Sequence, residues 1–156
     1  MKLIHAPDHA IRLVTPPKSD TVPLSELVIA DQRTGKILGG AVFEAALAWN
    51  DVVLLFLTDD IKFEDTLNIY LLDKDLNIAD SARLYFAYST GIFSHLDLTQ
   101  PDTVRFRFFD GLVWTLTLHA EKKFTTPFIP APAGVHRPFT FFRRFALSSR
   151  PREPDR

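Results

Sequence analysis

Alternating apolar and polar side chains, tight reversals between the alternating segments, and fourteen Phe residues point to an all-β protein. The expectation is an antiparallel meander of about eight or nine strands with little helix, forming a β-sandwich or a partly open barrel. A chain of 156 residues is the size of one ordinary domain and can bury a core without covalent staples. The predicted organisation is a single β domain over residues 1–147 and a flexible basic C-terminal tail over 148–156.

A first strand is expected over residues 11–15. Next comes a hairpin joining 27–30 to 37–43 through Asp31-Gln32-Arg33-Thr34-Gly35-Lys36. Gly39-Gly40 interrupts its second arm and predicts a bulge or sharp bend. Residues 43–58 form another hairpin around Asn50-Asp51, pairing 49 with 52, 47 with 54 and 45 with 56. One face then carries Phe43, Ala45, Leu47, Trp49, Val52, Leu54 and Phe56. The other carries Ala46, Ala48, Val53, Leu55 and Leu57. Residues 52–57 are apolar on both faces, which marks an interior strand covered on two sides. An Ala-rich helix over 41–49 is the competing reading, which the adjoining Val/Leu/Phe run and the Asn-Asp turn disfavour.

A further hairpin runs over 67–72, turns at Asp73-Lys74-Asp75 and returns over 76–79. A strand is expected at 83–88, with a helical turn or two over 81–88 as the alternative. Segments 104–108 and 112–118 both alternate with period two and flank Asp110-Gly111. A two-residue loop there would set Arg107 opposite Trp114. A three-residue loop, Phe109-Asp110-Gly111, pairs 108 with 112, 106 with 114 and 104 with 116, and gathers the large apolar residues on one face. The apolar match selects that register, with Gly111 left-handed in a bulged turn. A last strand is expected over 138–147. Six of the eleven prolines and six Phe lie beyond residue 120. The cost of leaving Phe in water predicts that residues 121–147 pack on the body.

Chemical motifs do not survive inspection. The absence of Cys removes disulfides, thiolate metal sites and a Cys nucleophile, and fits a reducing cytoplasm. Residues 1–10 do not read as a signal sequence, and no apolar run is long enough to cross a bilayer as a helix. Asp73-Lys74-Asp75-Leu76-Asn77 imitates the start of a calcium loop, but Ile78 and Leu84 occupy the positions that need Gly and Glu. Arg33-Thr34-Gly35-Lys36 lacks the earlier Gly of a phosphate-binding loop. His5 and His9 flank Pro7 and read as loop residues. His119 falls on the Thr115/Thr117 face and is expected to be exposed. No cofactor or metal is implied, and no acid, base or nucleophile stands out.

Charge is the remaining signal. Residues 1–120 hold ten Lys and Arg against sixteen Asp and Glu, and residues 121–156 hold eight against three. Arg137, Arg143, Arg144, Arg150 and Arg152 among Phe residues suit nucleic acid, but the acidic body weighs against it and an Arg-guarded edge strand accounts for them. The run over 58–80 gathers Asp59, Asp60, Glu64, Asp65, Asp73, Asp75 and Asp80 against Lys62 and Lys74. An acidic patch steers basic partners. The expectation is therefore a cytoplasmic, non-catalytic protein-binding domain without membrane attachment. It would use Asp59, Asp60, Glu64, Asp65, Asp73 and Asp75 toward a basic partner, for example as an immunity-type inhibitor of a basic toxin. The alternatives are a small apolar-ligand-binding β-barrel and an enzyme whose site is built from loop carboxylates.

Overall fold

The computed structural model describes residues 2–18 and 21–153. Among these residues there is no helix. The strands are β1 (Ile4–His5), β2 (His9–Thr15), β3 (Leu24–Ile29), β4 (Gln32–Gly39), β5 (Val42–Trp49), β6 (Val52–Thr58), β7 (Leu67–Leu72), β8 (Ile78–Leu84), β9 (Ser94–Gln100), β10 (Thr103–Arg107), β11 (Leu112–Phe124), β12 (Val135–His136) and β13 (Phe142–Pro151). They form three antiparallel sheets, in the orders β1-β5-β6-β7-β8-β12, β13-β11-β10-β9 and β2-β3-β4. Meandering neighbours dominate each sheet, as the turn signals require. The chain does not close into a barrel. The strand count exceeds the sequence expectation because β1 and β12 are two-residue edges with no detectable period, and because β9 pairs through two irregular intervals.

The six-stranded sheet is central, and its strands bury side chains on both faces. One face joins Leu47, Leu54, Phe56, Ile69 and Leu84 to Phe106, Trp114, Leu116 and Phe145 of the four-stranded sheet. The other joins Ala46, Leu55, Leu57 and Leu72 to Leu27 and Leu38 of the three-stranded sheet. The two-sided burial of residues 52–57 is thus realised as a strand with a sheet above and a sheet below. The Trp49 indole N–H donates to the Pro101 carbonyl at 2.9 Å. The Tyr70 hydroxyl donates to the Gly39 carbonyl at 2.8 Å. These two bonds tie the centre to each cover without leaving a buried donor unpaired.

Both argued registers hold. Phe106 pairs Trp114, Val104 pairs Leu116, and Arg105 and Arg107 face Thr115 and Val113. Gly111 has φ of 78°. In the other hairpin Trp49 pairs Val52, Leu47 pairs Leu54 and Ala45 pairs Phe56. The helix over 41–49 does not form. Phe43 differs from expectation. The register shifts between Phe43 and Ala45, so Glu44 is a bulge and Phe43 turns to the second core. An extra residue reverses every side chain before it.

Other departures have equally local causes. The loop expected over 31–36 is a tight turn at Ala30 and Asp31, both with positive φ; Gln32 and Arg33 pair with Ile29 and Val28, and residues 34–36 form a bulge inside β4. There Gly35 N–H donates to Glu26 at 3.0 Å, and Arg12 and Arg33 also bond that buried carboxylate, at 3.1 and 3.0 Å. The strand expected at 83–88 ends at Leu84, and no helical turn follows. The final strand begins at Phe142 and runs through Ser148–Pro151 paired to β11. The segment assigned to a loose tail is therefore held in the sheet as far as Pro151. Residues 154–156 of that tail lie outside the described residues.

Gly39-Gly40 is where the chain leaves one sheet for another. Gly40 has φ of 139°, and a Cβ there would lie 2.6 Å from the Leu57 Cβ. Gly40→Ala should therefore cost about 2–4 kcal/mol in urea unfolding, from strain plus overpacking. Gly35→Ala, at φ of 78° with nothing within 4 Å, should cost only about 1 kcal/mol. Equal losses would contradict the close approach to Leu57.

Candidate functional site

The acids over 58–80 do not form one surface. Asp59, Asp60, Glu64 and Asp65 lie in the loop between β6 and β7, while Asp73 and Asp75 lie beyond the far end of β7. A six-residue strand separates the two groups by roughly 20 Å. Asp59 is buried and accepts from Asn68 Nδ2 at 2.8 Å. Asp65 accepts from the Asp59 and Thr66 amides at 3.1 and 2.8 Å, shaping the loop. Glu64 accepts from the Tyr85 hydroxyl and, at 3.2 Å, from the Tyr88 amide. Asp73 accepts from the Asp75 and Asn77 amides at 2.9 Å each, so the calcium-like stretch is a polar hairpin turn. Asp60 and Asp75 are exposed.

Asp59 and Glu64 share a groove of about 650 Å³ with Lys18, Lys62, Arg83 and Tyr85. Burial pushes the Asp59 carboxyl above its usual range, against the Asn68 hydrogen bond and the charge of Arg83. Burial likewise raises Asp65. Carboxyls of this kind hold a proton at higher pH than solvated ones and can exchange it with a bound group. Lys18, Lys62 and Arg83 line the same groove as Asp59 and Glu64, so it presents mixed charge.

Asp80, the seventh acid of the run, is buried in a different role. Its Oδ2 accepts from Arg137 Nη2 at 2.7 Å, from the Arg144 amide at 2.8 Å and from the Phe145 amide at 3.3 Å. Its Oδ1 accepts from Arg143 Nη1 at 3.3 Å and from the Ser81 amide at 2.9 Å. The cause lies in β11. Leu118 pairs Phe145 and Lys123 pairs Arg143, so residues 119–122 stand against Arg144 alone. That wide bulge frees amides of β13, and Asp80 from the central sheet takes them. Arg137 further donates to the Ser81 and Phe145 carbonyls at 3.1 and 3.0 Å, and its guanidinium lies 4.2 Å from the Phe145 ring centre.

Beyond the bulge, β11 and β13 extend past the body and carry the least expected feature. Phe145 is buried, as predicted for residues 121–147. Phe124, Phe128, Phe139, Phe141 and Phe142 are not: their exposure runs from 44% at Phe141 to 79% at Phe128. They touch one another instead. Phe128 meets Phe139, Phe139 meets Phe141, and Phe124 meets both Phe141 and Phe142, with ring centres 5.7–6.4 Å apart. Thr125 N–H bonds the Phe141 carbonyl at 2.8 Å and holds the two segments together. Sequence reasoning found these residues and misassigned their burial. The missing signal was that the core was already filled by the three sheets.

His119 lies at the start of the bulge, half-buried by the proline-rich segment rather than exposed. His5, His9 and His95 line one small depression with Glu44, a grouping that sequence spacing hides. Among the described residues no set of three or more His, Cys, Asp and Glu is placed to hold a metal ion. Nor is any helix long and apolar enough to cross a membrane. No protein-family description, curated protein or solved structure matches this chain.

Two measurements test these assignments. Asp80→Ala leaves two mostly buried guanidiniums without their carboxylate, and should lose about 3–5 kcal/mol of stability in urea unfolding. A loss under 1 kcal/mol would show that the bulge is held by other contacts. The second concerns pH. The native Asp59 carboxyl is raised, so its favourable contribution is complete below the ordinary carboxylate range and is lost as pH rises through the native value. Asp59→Asn should match the parent near pH 4 and exceed its stability at pH 7.5. The opposite order would place Asp59 in a favourable ion pair.

Proposed function

We propose that this protein is a non-catalytic protein-binding module. Its docking face is the Phe platform at the end of β11 and β13, and its partner is a protein segment with apolar side chains set among acidic ones. One observation carries the reading: five Phe in mutual contact stand in solvent. At about 200 Å² per Phe side chain they expose roughly 600 Å² of continuous apolar surface. That is at or above the largest patch of an ordinary monomer, and such patches serve association. The rings pack on one another, so little conformational freedom remains to be lost on docking.

Charge complementarity sets the partner's sign. Lys122, Lys123 and Arg144 flank the platform together with Arg143, which is ion-paired to Asp80, and Glu121 is the sole acid between residues 121 and 147. The acids over 58–80 support a basic partner less well, because burial, loop capping and ion pairing engage most of them. A membrane interface is disfavoured by composition. The platform holds Phe and Ile129 without Trp or Tyr, the residues enriched where a protein meets lipid headgroups.

Selection from a displayed random peptide library tests this. The expected winners carry Asp or Glu beside Leu, Phe or Trp. Their affinity should fall at least about tenfold in Phe139→Ser/Phe141→Ser, and should weaken as salt rises. Enrichment of basic peptides whose binding depends on Asp60 or Asp75 would return the function to the acidic loops. Binding to anionic vesicles in place of peptides would overturn the protein-docking reading.

A further inference from the structure

We infer that the cleft between the proline-rich segment 126–140 and strands β11 and β13 is a binding site for an amphipathic organic anion, a carboxylate carried on a medium-length apolar chain. The site adjoins the docking face and shares Ile129, Phe139, Lys123 and Arg143 with its border, but Phe124, Phe128, Phe141 and Phe142 lie outside it. The cleft encloses about 570 Å³, within the range of small-ligand sites. Its lining combines apolar residues, Ile129, Pro130, Pro132, Val135, Phe139 and Leu147, with the basic residues His119, Lys123, His136, Arg137 and Arg143. Apolar and cationic groups lining one cleft match the chemistry of a fatty or aryl carboxylate, with the chain against the prolines and the headgroup toward Lys123 and Arg143.

The charge is unbalanced in the direction such a ligand would correct. Asp80 is the carboxylate that meets the two arginines, and both its oxygens are already occupied by Arg137, Arg143 and three amides. Lys123 stands beside that set. Arg143 spends Nη1 on Asp80 and Nη2 on the Pro138 carbonyl at 2.7 Å. Its Nε has no protein acceptor among the described residues. Burial first, then Lys123, Arg137 and Arg144, lower the pKa of His119 from its ordinary value, and Asp80 opposes them.

The walls are also set in advance. Prolines restrict the loop's backbone. Val135 and His136 pair with Leu84 and Arg83 of the central sheet, and the Tyr85 amide donates to the Gly134 carbonyl at 2.8 Å. Gly134, at φ of 80°, sits where a Cβ would strike the Phe86 ring at 2.4 Å. The loop is thereby clamped to β8 on one side while the cleft opens on the other.

Decanoate is the probe, followed by calorimetry and by NMR titration of the His119 ring. The expected result is saturable one-to-one binding, with the His119 pKa rising on saturation, because an added anion favours the imidazolium. Affinity should then increase as pH falls through that pKa. Lys123→Glu should weaken binding at least about tenfold, while Phe141→Ser/Phe142→Ser, which disrupts the platform, leaves it unchanged. Two control ligands separate the contributions: 1-decanol lacks the charge and inorganic phosphate lacks the chain. The inference is overturned if 1-decanol binds as tightly as decanoate, if phosphate alone displaces decanoate, if His119 does not move, or if Lys123→Glu has no effect. It is also overturned if the double Phe variant abolishes binding, which would put the ligand on the platform.

Discussion

A strand that is apolar on both faces cannot be satisfied by one partner layer. Val52–Thr58 is buried except at the half-buried Val53, and its backbone amides pair with β5 on one side and β7 on the other. Its side chains therefore demand a cover above and a cover below. The rest of the molecule answers that demand: a three-stranded sheet from the chain's first part, and a four-stranded sheet from its last. Burying apolar surface on both sides of one sheet gives a protein of this size a large apolar interior without disulfides.

The covers are attached by polar groups as well as by apolar contact. Each outer sheet is met at its irregular point by one buried carboxylate, from its own strand β3 in one case and from the central sheet in the other. Glu26 is bonded by two arginines and the Gly35 amide where β4 bulges. Asp80 is bonded by two arginines and the amides that the β11 bulge leaves without strand partners. In both places the irregular backbone creates donors that must be met, and an acid from a neighbouring strand meets them. The β4 bulge is therefore stitched within its own sheet, whereas the β11 bulge, met by Asp80 of the central sheet, is part of how two layers are joined. The larger one also lifts the end of β11 and β13 off the body and creates the surfaces on which binding is proposed.

Two sets of residues show how much of the site could be read in advance. The acids over 58–80 look like one patch in sequence because they are close along the chain. A strand separates them in space, and hydrogen bonds to their own loops or to distant segments engage most of them. The Phe residues beyond 120 look like core because Phe usually is. The three sheets already fill the interior, so five of them pack on one another in solvent beside four cations. Both errors share a cause: neighbourhood along the chain and average burial say little about which surface a loop finally lies on.

Period-two alternation and turn chemistry are local properties, so the sequence alone determined the all-β class, the meandering order, and the registers at Asn50-Asp51 and Asp110-Gly111. In each, one slip would have exposed a whole apolar face. The division into three sheets, the crossing at Gly40, the face taken by Phe43 and the partners of Asp80 were decided only by the tertiary structure. Those outcomes depend on bulges and on the competition of distant segments for one interior. A single inserted residue, or a core already full, sends a side chain to the opposite side with no change in the pattern around it.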